Sequence, residues 1–329
     1  MSRATDAIES CNIVIRKITV TGFCLNALLL FLIITYSRPT LGNYRYLLKL
    51  FACNDLFLIT MHAIVRPASF STGSALGLFS HTFPDSKYPI YIICSCFTIP
   101  FTLMNINFLH RYWSVKRPAK VCRFSNWRFC AALALYPLSY IAAWMTFSLT
   151  VADDPVGRAI IEPAYLQFTG ERRMSKGWLL ICIQDRNGDW NTETLVLTII
   201  EFTLHMVNVV TAAVLCTLTL IELRSAKFFS PRFRILQIKV LRALLAQSLV
   251  PVIFVLIPYV LAIILRFRPN KSAEGHFDYW CPLASSFPAW DALVLLILMR
   301  DYRRGLKDML RKVAQYMLMP VEAAEYSVR

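Results

Sequence analysis

The stretch Pro89–Leu109 reads PIYIICSCFTIPFTLMNINFL and holds no charged side chain. As a helix rising 1.5 Å per residue it is about 31 Å long, the thickness of a bilayer's hydrocarbon core. It ends abruptly on His110-Arg111-Tyr112 and a run of further basic residues. An uncharged segment of that length, stopped by arginine, is expected to cross a membrane with its basic end in the cytoplasm.

Six more stretches are long and mostly apolar, the second, fifth and seventh spans in chain order carrying charged residues: Ile18–Tyr36, Tyr46–Arg66, Phe129–Thr150, Thr194–Ile221, Ala243–Leu265 and Cys281–Met299. Strands are excluded at these lengths, because barrel strands alternate apolar and polar positions. Across all 329 residues, 57% are apolar and 17% charged. Soluble domains carry roughly a quarter charged residues, so the excess apolar surface must face lipid. The fold class is an all-α membrane protein: a seven-transmembrane bundle spanning 18–300, an N-terminal segment 1–17 and a tail 301–329.

The net charge of +15 does not point to nucleic acid, since the charges sit in short clusters between uncharged spans. The segments 37–45, 111–128, 222–242 and 300–329 hold 21 Lys and Arg against 5 Asp and Glu. The segments on the other side hold 12 of each. The first set is expected in the cytoplasm, which puts the N-terminus outside, although Arg16 and Lys17 flank span one on that face. After span seven, Tyr302, Leu306, Met309, Leu310, Val313 and Met317 recur at helical spacing opposite Arg303, Arg304, Lys307 and Arg311. That pattern predicts a short amphipathic helix lying on the inner leaflet.

Ten cysteines show no CxxC and no Cys/His metal spacing, so neither metal nor cofactor is expected. Cys94 or Cys96 is a candidate to bridge Cys182 in the long 151–193 loop, and Cys11 to bridge Cys281. Asn270-Lys271-Ser272 is a glycosylation sequon. The apolar middle of the long loop, Trp178–Ile183, predicts a strand or a lid over a pocket.

Charge inside a membrane is costly and marks candidate sites. Asn26, Asp55 and Asp291 all fall near mid-membrane and form a candidate polar switch network. Glu201 and His205 share one face of span five, as an ion pair or as ligand contacts. A pocket in the outer halves of spans three, five, six and seven would be walled by Phe97, Phe101, Met104, Tyr259, Phe287 and Trp290, a lining suited to a small molecule. Arg111, Tyr112 and Arg242 are the candidate coupling residues at the inner face. Pro251 and Pro258 predict a kinked span six able to swing.

Four segments resemble one family. They are Leu41-Gly42-Asn43-Tyr44-Arg45-Tyr46-Leu47, then Phe108-Leu109-His110-Arg111-Tyr112-Trp113-Ser114-Val115, then Leu241-Arg242-Ala243-Leu244-Leu245-Ala246-Gln247-Ser248-Leu249-Val250-Pro251, and Phe287-Pro288-Ala289-Trp290-Asp291 with Arg300-Asp301-Tyr302-Arg303. In this order and at these depths they resemble the Str-type superfamily (Str/Srj-like) of nematode serpentine chemoreceptors. The resemblance implies a rhodopsin-like bundle in the ciliary plasma membrane of a sensory neuron. It further implies a small odorant or soluble cue outside and a heterotrimeric G-protein inside. By the same resemblance, His110 stands where related receptors carry the acid before arginine, and Ala292-Leu293 where they carry Pro-Leu-Pro after Asp291. An odorant-gated channel or a small-solute transporter is the alternative. A membrane enzyme would need catalytic motifs that are missing around Asp55 and Asp291.

Overall fold

The computed structural model describes residues 2–37, 44–151, 154–171, 173–185, 187–225, 230–267, 276–278 and 280–318. Seven helices are long and apolar enough to cross a membrane, and the chain is a multi-pass membrane protein. Spans one to seven run Ile13–Tyr36, Tyr44–Val65, Tyr88–Lys116, Trp127–Val151, Thr192–Ser225, Phe233–Phe267 and Trp280–Leu298. Spans five and six are longer than their apolar stretches, running on through mixed segments in which Leu223, Val240 and Leu241 are still buried. The sequon, the Cys11 side chain and Leu41-Gly42-Asn43 lie outside the described residues.

Span one packs on spans two and seven, and span three on span five. Span four is peripheral, with only Trp144, Phe147, Ser148 and Val151 buried.

Two spans are interrupted. Span three breaks between Cys96 and Ile99, where Pro100 has no N–H to continue the ladder. Span six opens into a wide turn over Val252–Leu256, flanked by Pro251 and Pro258. Each proline removes a backbone bond, and the local i→i+5 winding absorbs the lost contacts.

The expected strand at Trp178 exists, but it belongs to a four-stranded antiparallel sheet that the sequence did not announce. β1 (Pro67–Thr72) and β2 (Ala75–Ser80) form a hairpin between spans two and three. β3 (Trp178–Cys182) comes from the long loop, and β4 (His276–Phe277) precedes span seven. The order is β3-β2-β1-β4. The two-residue turn of the hairpin, Gly73-Ser74, places Gly73 at φ 51°, a region that glycine enters freely.

Strand alternation gives the sheet two faces. Leu76, paired with Ile181, and Leu78, paired with Leu179, face the bundle. Phe70, Phe79, Trp178 and Leu180 face away and pack with Ile161, Ala164 and Tyr165. These last three belong to a helix, Pro155–Thr169, that lies on the sheet. Asp154 caps its N-terminus through the Val156 N–H at 2.9 Å, and Gly170 ends it at φ 75°. Helix on sheet on bundle makes a two-layer cap.

At the opposite, basic end, the helix Arg300–Leu318 follows span seven. Its Tyr302 is fully buried, while Arg303, Arg304 and Lys307 are exposed. Gly305 lets it approach Tyr36, where a Cβ would lie 2.6 Å from the ring.

Candidate functional site

Beneath the sheet lies a cavity of about 130 Å³. Its roof is Pro67, Ser69, Leu76, Leu78 and Ile181 of the cap. Its walls come from spans two to seven, among them Ile93, Phe97, Trp144, Leu256 and Ala284. Almost every atom that shows is apolar. Three polar atoms at this wall are buried without a hydrogen-bond partner among the described residues: His62 Nδ1, Tyr259 Oη and Trp280 Nε1. A buried polar group left unpaired costs free energy that a ligand can recover by pairing it.

Of the residues expected to line a pocket, Phe97, His205 and Tyr259 do so. Phe101 stands behind His205, its ring 5.3 Å away, and Phe287 behind Phe97 at 6.1 Å. Met104 lies deeper, at a small space shared with Asp55, Gln247 and Asp291. Trp290 does not face the cavity: it is 45% exposed and stacks on Phe254 at 5.5 Å on the bundle's outer surface. One helical position decides this, since Phe287 points inward and Trp290, three residues on, is carried past the seam.

Glu201 is buried behind Tyr259 rather than in the cavity wall, and its charge faces Tyr259 and Tyr140. It forms no ion pair with His205. The His205 Nδ1 is instead 3.0 Å from the Glu201 carbonyl oxygen one turn earlier on the same helix. His62, unnoticed in the sequence, also lines the cavity and is hydrogen-bonded to the Cys281 backbone.

The Cys94–Cys182 bridge is not formed, and both thiols are free. Alternation explains the difference: Cys94 points into the cavity, while Cys182 is on the upper face of the sheet with Ala75 and Trp178. The Cys182 thiol donates to the Gln184 carbonyl at 3.1 Å. Burial, and then the charge of Asp154, push its pKa up to about 11.

Below the cavity, the Asn26 side chain donates to the carbonyls of Gly22 (3.0 Å) and Pro288 (2.9 Å), joining span one to span seven. Asp55 faces Asp291, and Asp291 Oδ2 accepts from Gln247 Nε2 at 2.8 Å. Gln247 brings span six into the cluster, a partner the sequence did not single out. A second polar knot was missed entirely. Asn105 Nδ2 donates to Tyr136 Oη and to Asn208 Oδ1, both at 2.8 Å, and Tyr136 Oη donates to Asn208 Oδ1 at 2.6 Å. It ties spans three, four and five.

At the basic end, a cleft of about 790 Å³ is lined by Arg111, Lys239, Arg242, Arg300, Asp301 and Arg304 among others. Arg111 is buried, Tyr112 half-buried and Arg242 exposed. Beside the cleft, Lys116 and Glu222 pair the ends of spans three and five. The cavity and the cleft lie at opposite ends of one bundle, with the Asp55–Asp291–Gln247 cluster between them.

The family model described as serpentine type 7TM GPCR chemoreceptor Str matches residues 12–307. "Serpentine receptor class r-10" of Caenorhabditis elegans is 24% identical over 302 residues, 88% of this chain and 87% of that protein. The protein of the same name from Caenorhabditis briggsae is 24% identical over 297 residues, 86% and 85% of the two chains.

Proposed function

The chain belongs to the Str family of serpentine seven-transmembrane chemoreceptors, and from that premise we propose that it receives a small, uncharged, mostly apolar molecule in the capped cavity and activates a heterotrimeric G-protein at the basic cleft. The observation that carries this reading is the cavity itself: roofed by the sheet, apolar, and with unpaired polar atoms at His62, Tyr259 and Trp280. A volume of about 130 Å³ is close to that of an engineered apolar cavity of about 150 Å³ that takes benzene. A larger or charged ligand would have to displace the cap or leave an ion unsolvated.

In this reading the sheet end is extracellular and the N-terminus with it, in the plasma membrane of a sensory cilium. The basic cleft meets the cytoplasmic leaflet and the acidic and C-terminal surfaces of the G-protein. Phe97, His205 and Tyr259 contact the ligand, while Phe101, Met104 and Phe287 pass its effect to the polar cluster. Span six, hinged at Pro251 and Pro258, moves the basic end through the Gln247–Asp291 bond.

The test is a reporter cell carrying a promiscuous G-protein, screened with volatile and soluble small molecules. The Ala284→Phe variant, which fills the cavity, should reach the surface and lose the response found for the wild type. An unchanged response would remove the cavity from ligand binding. A current that persists with G-proteins blocked would favour the channel.

A further inference from the structure

Arg111, at the inner seam of spans two and three, is buried to 6% exposure. No carboxylate is paired with it among the described residues, and its Nε and Nη2 have no hydrogen-bond partner. What it does have is Tyr44, which offers it both a ring face and a side-chain hydrogen bond. Its guanidinium carbon lies 3.5 Å from the centroid of Tyr44, the first residue of span two. Tyr44 is itself 2% exposed. The His110 ring stacks at 6.0 Å on Tyr44 and meets Phe124 edge-on at 4.8 Å. The Tyr44 ring also belongs to a cluster with Val240 and Ala243 of span six, Met299 just after span seven and Tyr302 of the helix that follows it.

We propose that Tyr44 is the positioning residue for Arg111: its ring face holds the guanidinium in the resting bundle, in place of an acidic partner, and releases it toward the cleft when span six swings away. This rests on the receptor reading above. A cation over an aromatic face is attracted by the ring quadrupole, most strongly where water is excluded. A planar guanidinium stacks on such a face and keeps its N–H groups free at the rim. The Nε and Nη2, buried and unpaired while the ring holds the group, become available on release to carbonyl or carboxylate groups of a partner entering the cleft. Because the cluster around Tyr44 includes residues of spans six and seven, opening the bundle removes the packing that presses the ring against Arg111. The ring carries no charge, so the hold needs no proton to make or break. Asp301 is the acid in the same cleft wall and is the rival holder.

The experiment measures ligand-free nucleotide exchange on a promiscuous heterotrimeric G-protein by the purified full-length receptor. Tyr44→Leu removes the ring face and should raise that rate roughly tenfold, equivalent to about 1.4 kcal/mol. Tyr44→Phe keeps the face and should stay close to wild type, and Asp301→Asn should change little. Phenylalanines of increasing fluorination at position 44 drain the quadrupole with little change of shape, so basal exchange should climb stepwise along the series. This series decides the matter if Tyr44→Leu does not fold. A flat series, equal rates for Leu and Phe, or a rise with Asp301→Asn alone would overturn the proposal. Ligand-evoked exchange by the wild type alongside any of these defeats only the Tyr44 hold. No exchange from any variant under the ligand screen defeats the receptor reading as well.

Discussion

Asp291 takes a hydrogen bond from Gln247 and faces Asp55 with 3% of its surface exposed. Its loss would leave two buried polar side chains unmatched, at about 1–3 kcal/mol each. Asp291→Ala should therefore lower the melting temperature of the detergent-solubilised protein well below that of Asp291→Asn. The asparagine still accepts from Gln247 and can itself donate to Asp55. Equal losses for the two variants would mean that the cluster is packing alone. Cys182 gives a second check. With its thiol buried and its pKa at about 11, a membrane-impermeant maleimide should ignore it in the native protein at pH 7. The same reagent should label it after denaturation without reductant. A requirement for reductant would instead reveal a disulfide. Both residues, and Asp55 opposite Asp291, were visible as candidates in the sequence, but Gln247 and the surroundings of Cys182 were not. Gln247 carries no charge to flag it, and the direction of a cysteine on a strand depends on a register that pairing sets.

The cap is the element that long-range pairing built. Its hairpin reads PASFSTGSALGLFS, too short and too rich in small residues to declare itself, and β3 pairs with β2 from about a hundred residues away. Only the apolar run at Trp178 was legible, because six consecutive residues, Trp178–Ile183, are apolar. Trp178 is 1% exposed, stacked on Phe79 at 4.2 Å and against Tyr165 at 5.0 Å. Trp178→Ala should cost about 3–5 kcal/mol, and its mark should be faster proteolysis of the 151–191 loop with the spans intact. His81, just after β2, has its pKa lowered from 6.5 by burial and then by the charge of Arg66. The folded cap thus favours the neutral ring. Its contribution is whole above pH 6.5 and is lost as the pH falls below that value. Cap protection should weaken on acidification and His81→Phe should remove the trend, whereas an identical acid profile in that variant would exclude the histidine. Span four shows the same limit of sequence reading. Its sequence singled out no residue, yet Tyr136 bonds Asn105 and Asn208.

At the scale of the molecule, the seven spans were legible because lipid forbids the alternatives: each backbone group must be paired within its own segment, so length and missing charge suffice. The arrangement of the two ends was legible only in part. Charge bias set the basic residues at one end, and the bundle gathers Arg111, Arg242 and Arg304 around one cleft there. The roofed cavity at the other end depends on loops whose pairing hydropathy cannot see. Under the proposed orientation, an epitope on the N-terminus should stain in intact cells and one on the tail only after permeabilisation. The reverse pattern would favour the channel class. The central claim is that occupancy of the capped cavity is communicated through the bundle to Arg111. The most direct measurement is nucleotide exchange on a purified heterotrimeric G-protein by the reconstituted receptor, with and without a cavity ligand found by screening. The ligand should accelerate exchange for the wild type and fail to do so for Arg111→Ala, which still binds it. Equal acceleration by Arg111→Ala, or binding with no exchange by the wild type, would contradict it.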